Sequence, residues 1–428
     1  MYPKMLNNTF VKITPQDITL SAVINGTRSN IKINESAFNI LKLCTGNNTI
    51  TDIYTGLNEI YDYNKDYVDD FINKLVTMGI IGHNETKEFS SNIKGNKNFF
   101  LPNVLIWEIT NKCPLNCLHC YLGKKESKEI SLKDIDRIIE IIIDTGVSTV
   151  QVTGGEIFTH PLLKYIIDKL SNLNIRVSLS TSGFLLDDNV KEILQKIKTD
   201  FIVRVSLDGD REYHNKIRKN NKSFDKCIEF MNYLKKESIE CQVGTVLLEQ
   251  SESMLKELII LSKSLGVTLH TFSPASRQGN ALSNNMNSNY SYGDLHSKLK
   301  LWSELYNSDK YKIQLPQESE EINCGCGHKV IRLRPDLSIT PCPMIDYEIG
   351  NLGRESYEDI MRNGTEIFSQ IYSPKSKNAT LCKSCGKNNE CSECIASAFT
   401  MENNTNSCQW YKTYLQEAIT KNQQKDLG

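Results

Sequence analysis

The chain has almost no net charge: 50 Lys and Arg stand against 51 Asp and Glu, leaving −1. That argues against a protein that holds nucleic acid or another polyanion through an overall basic surface. No run of about twenty apolar residues occurs, so no membrane-spanning helix is expected. The opening Met1-Tyr-Pro-Lys-Met-Leu-Asn-Asn lacks the apolar core of a secretory signal, and a cytoplasmic location is the expectation. With 428 residues the chain can bury one large core and at least one smaller one. What it does not lack is cysteine. Of 14, eleven fall into two groups with tight spacings, and Cys44, Cys227 and Cys241 stand alone. In a chain without a secretion signal, such groups read as metal or cluster ligation rather than disulfides.

The first group is Cys113-Pro-Leu-Asn-Cys117-Leu-His-Cys120, just after the apolar run Val104–Ile109. Three thiolates can hold three corners of a cubane iron–sulfur cluster and leave the fourth iron open to a ligand that is not protein. A structural zinc would want a fourth protein ligand, for which His119 is the nearby candidate, in a loop that is tight for all four groups.

Around this loop, strand-like and helix-like segments alternate. Strands are predicted at Val104–Ile109, Thr149–Thr153, Arg176–Thr181, Phe201–Ser206, Ile239–Val246 and Val267–Ser273. Ser131-Leu-Lys-Asp134 reads as a capping box before Ile135, Ile138, Ile139 and Ile142 on one helical face, and Gly146 ends that helix. Pro161 can open the next helix and Ser223 can cap a later one. Six β-α units in series imply parallel strands with helices outside, an α/β barrel or part of one, whose chemistry lies at the C-terminal strand ends. Gly154-Gly155-Glu156, Ser180, and Ser206-Leu-Asp-Gly209 followed by His214 and Arg218 all fall at those ends. The glycines would allow close approach of a ligand, hydroxyls and carboxylates suit a ribose, and an arginine suits a carboxylate.

The cysteine loop and the Gly-Gly-Glu element together resemble the radical S-adenosylmethionine enzymes. The resemblance implies a partial (β/α)6 TIM-like barrel with a [4Fe–4S] cluster on Cys113, Cys117 and Cys120. It implies S-adenosylmethionine chelated to the open iron and cleaved reductively to a 5′-deoxyadenosyl radical. By the same resemblance, Gly154 and Gly155 belong to the cofactor-binding motif, Glu156 would bind the methionine ammonium, Ser206 and Ser180 the ribose, and Arg218 the methionine carboxylate.

The second group comprises Cys324, Cys326, Cys342, Cys382, Cys385, Cys391, Cys394 and Cys408. Spacing alone does not separate zinc from iron–sulfur. The pattern resembles the SPASM extension of the same enzymes, which implies two auxiliary [4Fe–4S] clusters and three in all. Cys382, Cys385, Cys391 and Cys408 would hold the outer one; Cys324, Cys342 and Cys394, with Cys326 as a fourth, the inner one. The chain departs from that pattern at Leu337, where a glycine is usual.

Residues 1–85 read as short strands (Phe10–Ile13, Ile18–Val23, Arg28–Ile33) followed by helices (Glu35–Cys44, Ile50–Tyr61, Tyr67–Met78). They resemble the small winged-helix, PqqD-like domains that bind peptide leaders as an added strand. A DNA-binding winged helix is disfavoured, because residues 1–90 hold eight Lys/Arg and ten Asp/Glu, a net of −2. Residues 86–99 read as a linker, 100–275 as the barrel, 276–317 as a bridging segment and 318–428 as the cysteine-rich iron–sulfur domain.

The implied function is a maturase of a ribosomally made precursor peptide, with a flavodoxin- or ferredoxin-type reductant and neither nucleic acid nor membrane as partner. Hydrogen abstraction from a peptide carbon, oxidation and capture by a cysteine thiol would give a thioether. Carbon–carbon crosslinking and residue epimerisation are the alternatives, the latter needing a hydrogen donor such as Cys227 or Cys241. A zinc-binding winged-helix regulator is the reading outside enzymes.

Overall fold

The structure, a computed structural model, describes residues 1–6, 9–24, 27–59, 62–123, 129–197, 201–276, 278–286, 292–315 and 325–372. Among them, no helix is long and apolar enough to cross a membrane.

The central region is built as the alternation predicts. Six parallel strands follow in chain order: Val104–Thr110, Thr149–Gly154, Arg176–Thr181, Phe201–Ser206, Cys241–Leu247 and Leu269–Pro274. Each odd-numbered valine of Val203 and Val205 is fully buried against the outer helices, while Arg204 between them faces the barrel interior, as the two-residue period requires. The helix Leu132–Thr145 starts where Ser131 accepts the amide of Asp134 and stops at Gly146, whose φ of 64° only glycine adopts without strain. Ser223 does not cap its helix: it is the first residue inside Ser223–Lys236, and its hydroxyl meets His214 Nε2 at 3.1 Å instead.

The sheet extends beyond the six expected strands. Lys312–Ile313 adds in parallel beyond the sixth, and Val330–Leu333 adds in parallel beside the first. Ser338–Thr340 and Gly350–Asn351 continue it antiparallel. The residues just after the Cys324–Cys326 pair are thereby hydrogen-bonded to the strand that leads into the first cysteine loop.

The N-terminal residues form a separate core of Val11, Leu20, Ile40, Leu41, Ile53, Leu57, Ile72 and their neighbours. Its sheet runs Thr27–Lys32, Ile18–Ile24, Phe10–Ile13, Ile93–Gly95, under helices Glu35–Leu43, Ile50–Asn58 and Lys65–Thr77. Tyr2–Met5 pairs with Ile81–Asn84 in a second small sheet. Ile93–Gly95 lies in the stretch read as a linker, so 86–99 is no free tether: it supplies an edge strand parallel to Phe10–Ile13. Buried Lys12 donates to Pro102 O at 3.0 Å and Asn103 Oδ1 at 2.9 Å, and Lys94 donates to Ile143 O at 2.7 Å. Those acceptors lie at the entry of the first barrel strand and the end of the first barrel helix. The N-terminal domain is therefore anchored at the end of the barrel opposite the predicted chemistry.

Candidate active site

A cavity of about 650 Å³ opens at the C-terminal ends of the barrel strands. Cys113, Cys117 and Cys120 line it together with Gly154, Gly155, Ser180, Ser206 and Arg218, so eight of the nine first-site residues named from the sequence meet there. Glu156 is the ninth.

The cysteine loop is held from three sides. Thr110 O accepts the amide of Gly155 and Lys112 O that of Glu156, both at 2.8 Å. The two glycines are needed for this contact. A Cβ on Gly154, whose φ is 137°, would stand 2.3 Å from Thr110 O, and one on Gly155 would stand 2.2 Å from Lys112 O. The close approach is thus made by the chain's own backbone. On a second side Leu118 N donates to Ile217 O at 2.8 Å. On the third, the short helix Gly279–Ser283 presents Asn280, which donates its backbone amide to Cys120 O at 2.8 Å and its side chain to Cys117 O at 2.9 Å. Asn284 reaches Leu118 O at 2.9 Å.

Glu156 is fully buried and does not line the cavity. Its carboxylate accepts Thr181 Oγ1 at 2.8 Å, Ser182 N at 2.9 Å and the Ser182 hydroxyl. It joins the second strand end to the third. Ser180 lines the cavity and accepts Gln151 Nε2 at 3.1 Å. Arg218 pairs with fully buried Asp208, Nη2 to Oδ2 at 2.7 Å, and its Nη1 stands 3.9 Å from Cys117 Sγ. Burial by itself would raise the Asp208 carboxyl; Arg218, then His119 and His214, outweigh it and hold it near 2. Burial pushes the Cys117 thiol up, with Arg218 opposing. His119 is turned to Asp208, Nε2 to Oδ2 at 3.8 Å, and burial lowers it to about 4.

Thr181 and Ser182 belong to the strand-end motif Ser180-Thr-Ser-Gly183, whose hydroxyls suit a ribose by sequence, and Asp208 to Ser206-Leu-Asp-Gly209; Asn280 and Asn284 carry no sequence signal of a role at the site. The sequence shows Asp208 but not that Arg218, ten residues on, folds back to pair with it. The two asparagines sat in an Asn/Ser-rich stretch whose composition reads as a loop.

Among the described residues, no three His, Cys, Asp or Glu side chains converge where a single metal ion would be held. The three thiols, borne on one braced loop around a roomy cavity, are the donor set that a polynuclear iron–sulfur cluster takes. Of the second cysteine group, Cys326 and Cys342 are described. Cys326 is buried in a turn between Gly325 and Gly327, whose φ values are 78° and 79°, and Gly327 N donates to Pro341 O at 3.0 Å, so this turn lies beside Cys342. Pro343 and Met344, which follow Cys342, line the cavity. Cys324, Cys382, Cys385, Cys391, Cys394 and Cys408 lie outside the described residues.

The profile of the Radical SAM superfamily matches residues 107–261, which span the end of the first barrel strand, the first cysteine loop and the next four strands. The chain carries a radical SAM domain. Such a domain makes the chain an enzyme, which removes the reading as a zinc-binding regulator. The antilisterial bacteriocin subtilosin biosynthesis protein AlbA of Bacillus subtilis is 24% identical over 91% of this chain and 90% of its own. The mycofactocin maturase MftC of Mycolicibacterium smegmatis is 25% identical over 70% of this chain and 79% of its own. Among solved structures, Streptococcus suis SuiB bound to its precursor peptide SuiA superposes with a TM-score of 0.70 at 17% identity, covering 95% of this chain and 100% of SuiB. That likeness shows the α/β fold of this chain to be a known one.

Proposed function

We propose that this radical SAM enzyme is a maturase that modifies a ribosomally made precursor peptide. The observation that carries the reading is the meeting of Cys113, Cys117 and Cys120 with the ends of the second to sixth barrel strands around one cavity. The likeness to AlbA, a bacteriocin biosynthesis protein, over nine-tenths of both chains supplies the substrate class.

In this reading the three cysteines hold a [4Fe–4S] cluster. Such a cluster, with S-adenosylmethionine beside it, would supply reductive cleavage of the sulfonium and, through it, hydrogen abstraction from a peptide carbon. The chain's own part is positioning. The amides of Gly155 and Glu156 fix where the cysteine loop leaves the first strand, and Asn280 braces it from across the cavity. Ser180 and Ser206 offer hydroxyls where a ribose would lie. Glu156 acts by orienting Thr181 and Ser182, which line the cavity, in place of a direct contact to an ammonium. Arg218 faces the cavity with Asp208 behind it, so it would present a balanced ion pair to the methionine carboxylate.

The turn bearing Cys326, beside Cys342, supports a second ligand set at the cavity rim, with auxiliary [4Fe–4S] clusters completed by residues 373–428. The N-terminal domain, with its Thr27–Lys32 edge strand, is assigned to the peptide leader. Within this class we propose thioether formation, on the likeness to AlbA. Epimerisation draws no support from the solitary cysteines. Cys227 and Cys241 are buried between sheet and helices and do not line the cavity.

Replacing Cys113, Cys117 and Cys120 together by alanine should abolish 5′-deoxyadenosine production from S-adenosylmethionine and dithionite, while circular dichroism stays unchanged. Nucleoside production by the triple variant would defeat the assignment. Incubation of the intact enzyme with peptides encoded beside its gene should remove two hydrogens for each thioether. A product of unchanged mass would instead identify epimerisation.

A further inference from the structure

The barrel interior holds a cation that the mechanism above leaves unused. Arg204 lies on the fourth strand, in register with Ser180 on one side and Gln242 on the other. Ser180, and Ser206 two residues on, line the cavity. Arg204 is half-buried on the same face of the sheet, and its Nη2 makes one neutral hydrogen bond, to Gln242 Oε1 at 3.3 Å. Its Nε is buried and has no hydrogen-bond partner. Among the described residues no carboxylate pairs with it, whereas Arg218, Arg332 and Arg334 reach Asp208, Glu108 and Asp346. An uncompensated guanidinium in such a place costs stability, and burial lowers its pKa accordingly. A group kept at that cost beside a reaction cavity is matched to a ligand more readily than to the fold.

We propose that Arg204 anchors a carboxylate of the substrate inside the barrel. The proposal rests on the peptide-maturase reading for the identity of its ligand and deepens it to an acidic group on the peptide. Arg204 is not itself among the residues that line the cavity; it stands one step below Ser206 on the same strand, and its unpartnered Nε with a neighbouring Nη can donate in parallel to the two oxygens of a carboxylate that reaches past Ser206. A single cation balances a single negative charge, which favours carboxylate over a phosphate dianion. The carboxylate can belong to an Asp or Glu side chain or to the peptide C-terminus, and S-adenosylmethionine brings a carboxylate of its own.

The test uses the full-length, cluster-loaded and oxidised enzyme with trifluoroacetate as probe and trifluoroethanol as neutral control, read by ¹⁹F line broadening. In saturating S-adenosylmethionine, the enzyme should bind trifluoroacetate at least about tenfold more tightly than the Arg204→Gln variant does, and Arg204→Lys should recover part of the difference. Arg204→Gln should unfold at the same temperature as the wild type or higher, because it removes an unpaired charge; this separates lost binding from lost folding. Equal binding by wild type and Arg204→Gln would overturn the proposal. Displacement of the probe by S-adenosylmethionine would overturn it too, by assigning Arg204 to the cofactor. With a modified peptide in hand, loss of turnover on amidating the C-terminus points to that terminus, and loss on Asp→Asn or Glu→Gln exchange to a side chain; tolerance of every such change also overturns the proposal. Anion binding at Arg204 with no peptide accepted as substrate would remove the maturase reading alone.

Discussion

Arg218 and Asp208 form an ion pair with 2.7 Å between Nη2 and Oδ2, Arg218 at the cavity wall beside Cys117 and Asp208 fully buried behind it. The other groups around the pair are His119 and His214, both held neutral by burial, and the Cys117 thiol, which burial pushes up. Breaking such a pair strands a charge in the interior and costs about 3–5 kcal/mol. Asp208→Asn and Arg218→Met should each lower urea-unfolding stability by that order. The double variant should lose clearly less than the sum, because no charge is stranded. Additive losses would mean that the pair does not stabilise the fold as a unit.

Much of this architecture is legible in the residues. The third and fourth barrel strands match their expected bounds, since each is an apolar alternation ended by Ser or Gly and followed by a capped helix. Local patterning carries that information, and the parallel order follows from it. Val330–Leu333 and Lys312–Ile313 were not foreseen. Both are short, and the first contains Arg332, which is in a sheet interior because Glu108, more than two hundred residues earlier, neutralises it at 2.8 Å. Long-range pairing of that kind overrides propensity. The same holds within the site. A glutamate in Gly-Gly-Glu can be read as facing a ligand, but Thr181 and Ser182, about 25 residues away, capture it.

Leu337 is the residue where the resemblance calls for glycine, and it adopts φ 67°. It turns the chain between Val330–Leu333 and Ser338–Thr340, donating its amide to Arg334 O at 3.0 Å. A left-handed conformation costs a non-glycine residue about 1–2 kcal/mol. Leucine offsets part of that by packing against the main core. Alanine would keep the strain and lose the packing; glycine would lose both. Leu337→Gly should therefore be more stable than Leu337→Ala by about 1 kcal/mol in denaturant unfolding, the reverse of the usual order for an ordered residue. Should alanine prove the more stable, the left-handed turn is not a source of strain.

Fully buried His270 spans two strands and the segment beyond the sixth: its Nε2 meets Thr245 Oγ1 at 2.8 Å and its Nδ1 meets Tyr311 OH at 3.2 Å. Thr245 donates onward to Leu207 O at 2.6 Å, so Nε2 is the donating nitrogen and Nδ1 accepts from the tyrosine. Burial lowers its pKa from 6.5 to about 3. The folded state thus holds the neutral ring, and the unfolded chain binds a proton that the folded one refuses. Its contribution is complete above about pH 6.5 and is lost as the pH falls from there toward 3. Between pH 5.5 and 4.5 the slope of unfolding free energy against pH should be about 1.4 kcal/mol per unit shallower in His270→Asn than in the wild type. An unchanged slope would show that His270 is protonated in the fold. Comparing slopes removes the cost of the substitution itself, which shifts both ends of the window alike.

Asn280 is the one side chain outside the cysteine loop that reaches the carbonyl of a cysteine in it among the described hydrogen bonds, at 2.9 Å from Cys117 O. Its backbone amide holds Cys120 O in addition. Asn280→Ala keeps the second bond and removes the first, so the brace weakens without disappearing. One neutral hydrogen bond contributes about 1 kcal/mol, which corresponds to roughly fivefold more frequent local opening. Amides 117–123 should exchange with solvent deuterium about fivefold faster in Asn280→Ala, while amides of the strand Phe201–Ser206 exchange as before. Faster exchange in both regions would mean a loss of global stability, and no change in either would mean that the loop holds its shape without the asparagine. Because both carbonyls belong to cysteines, the loosened loop should also release reconstituted iron to a chelator faster at the same protein stability.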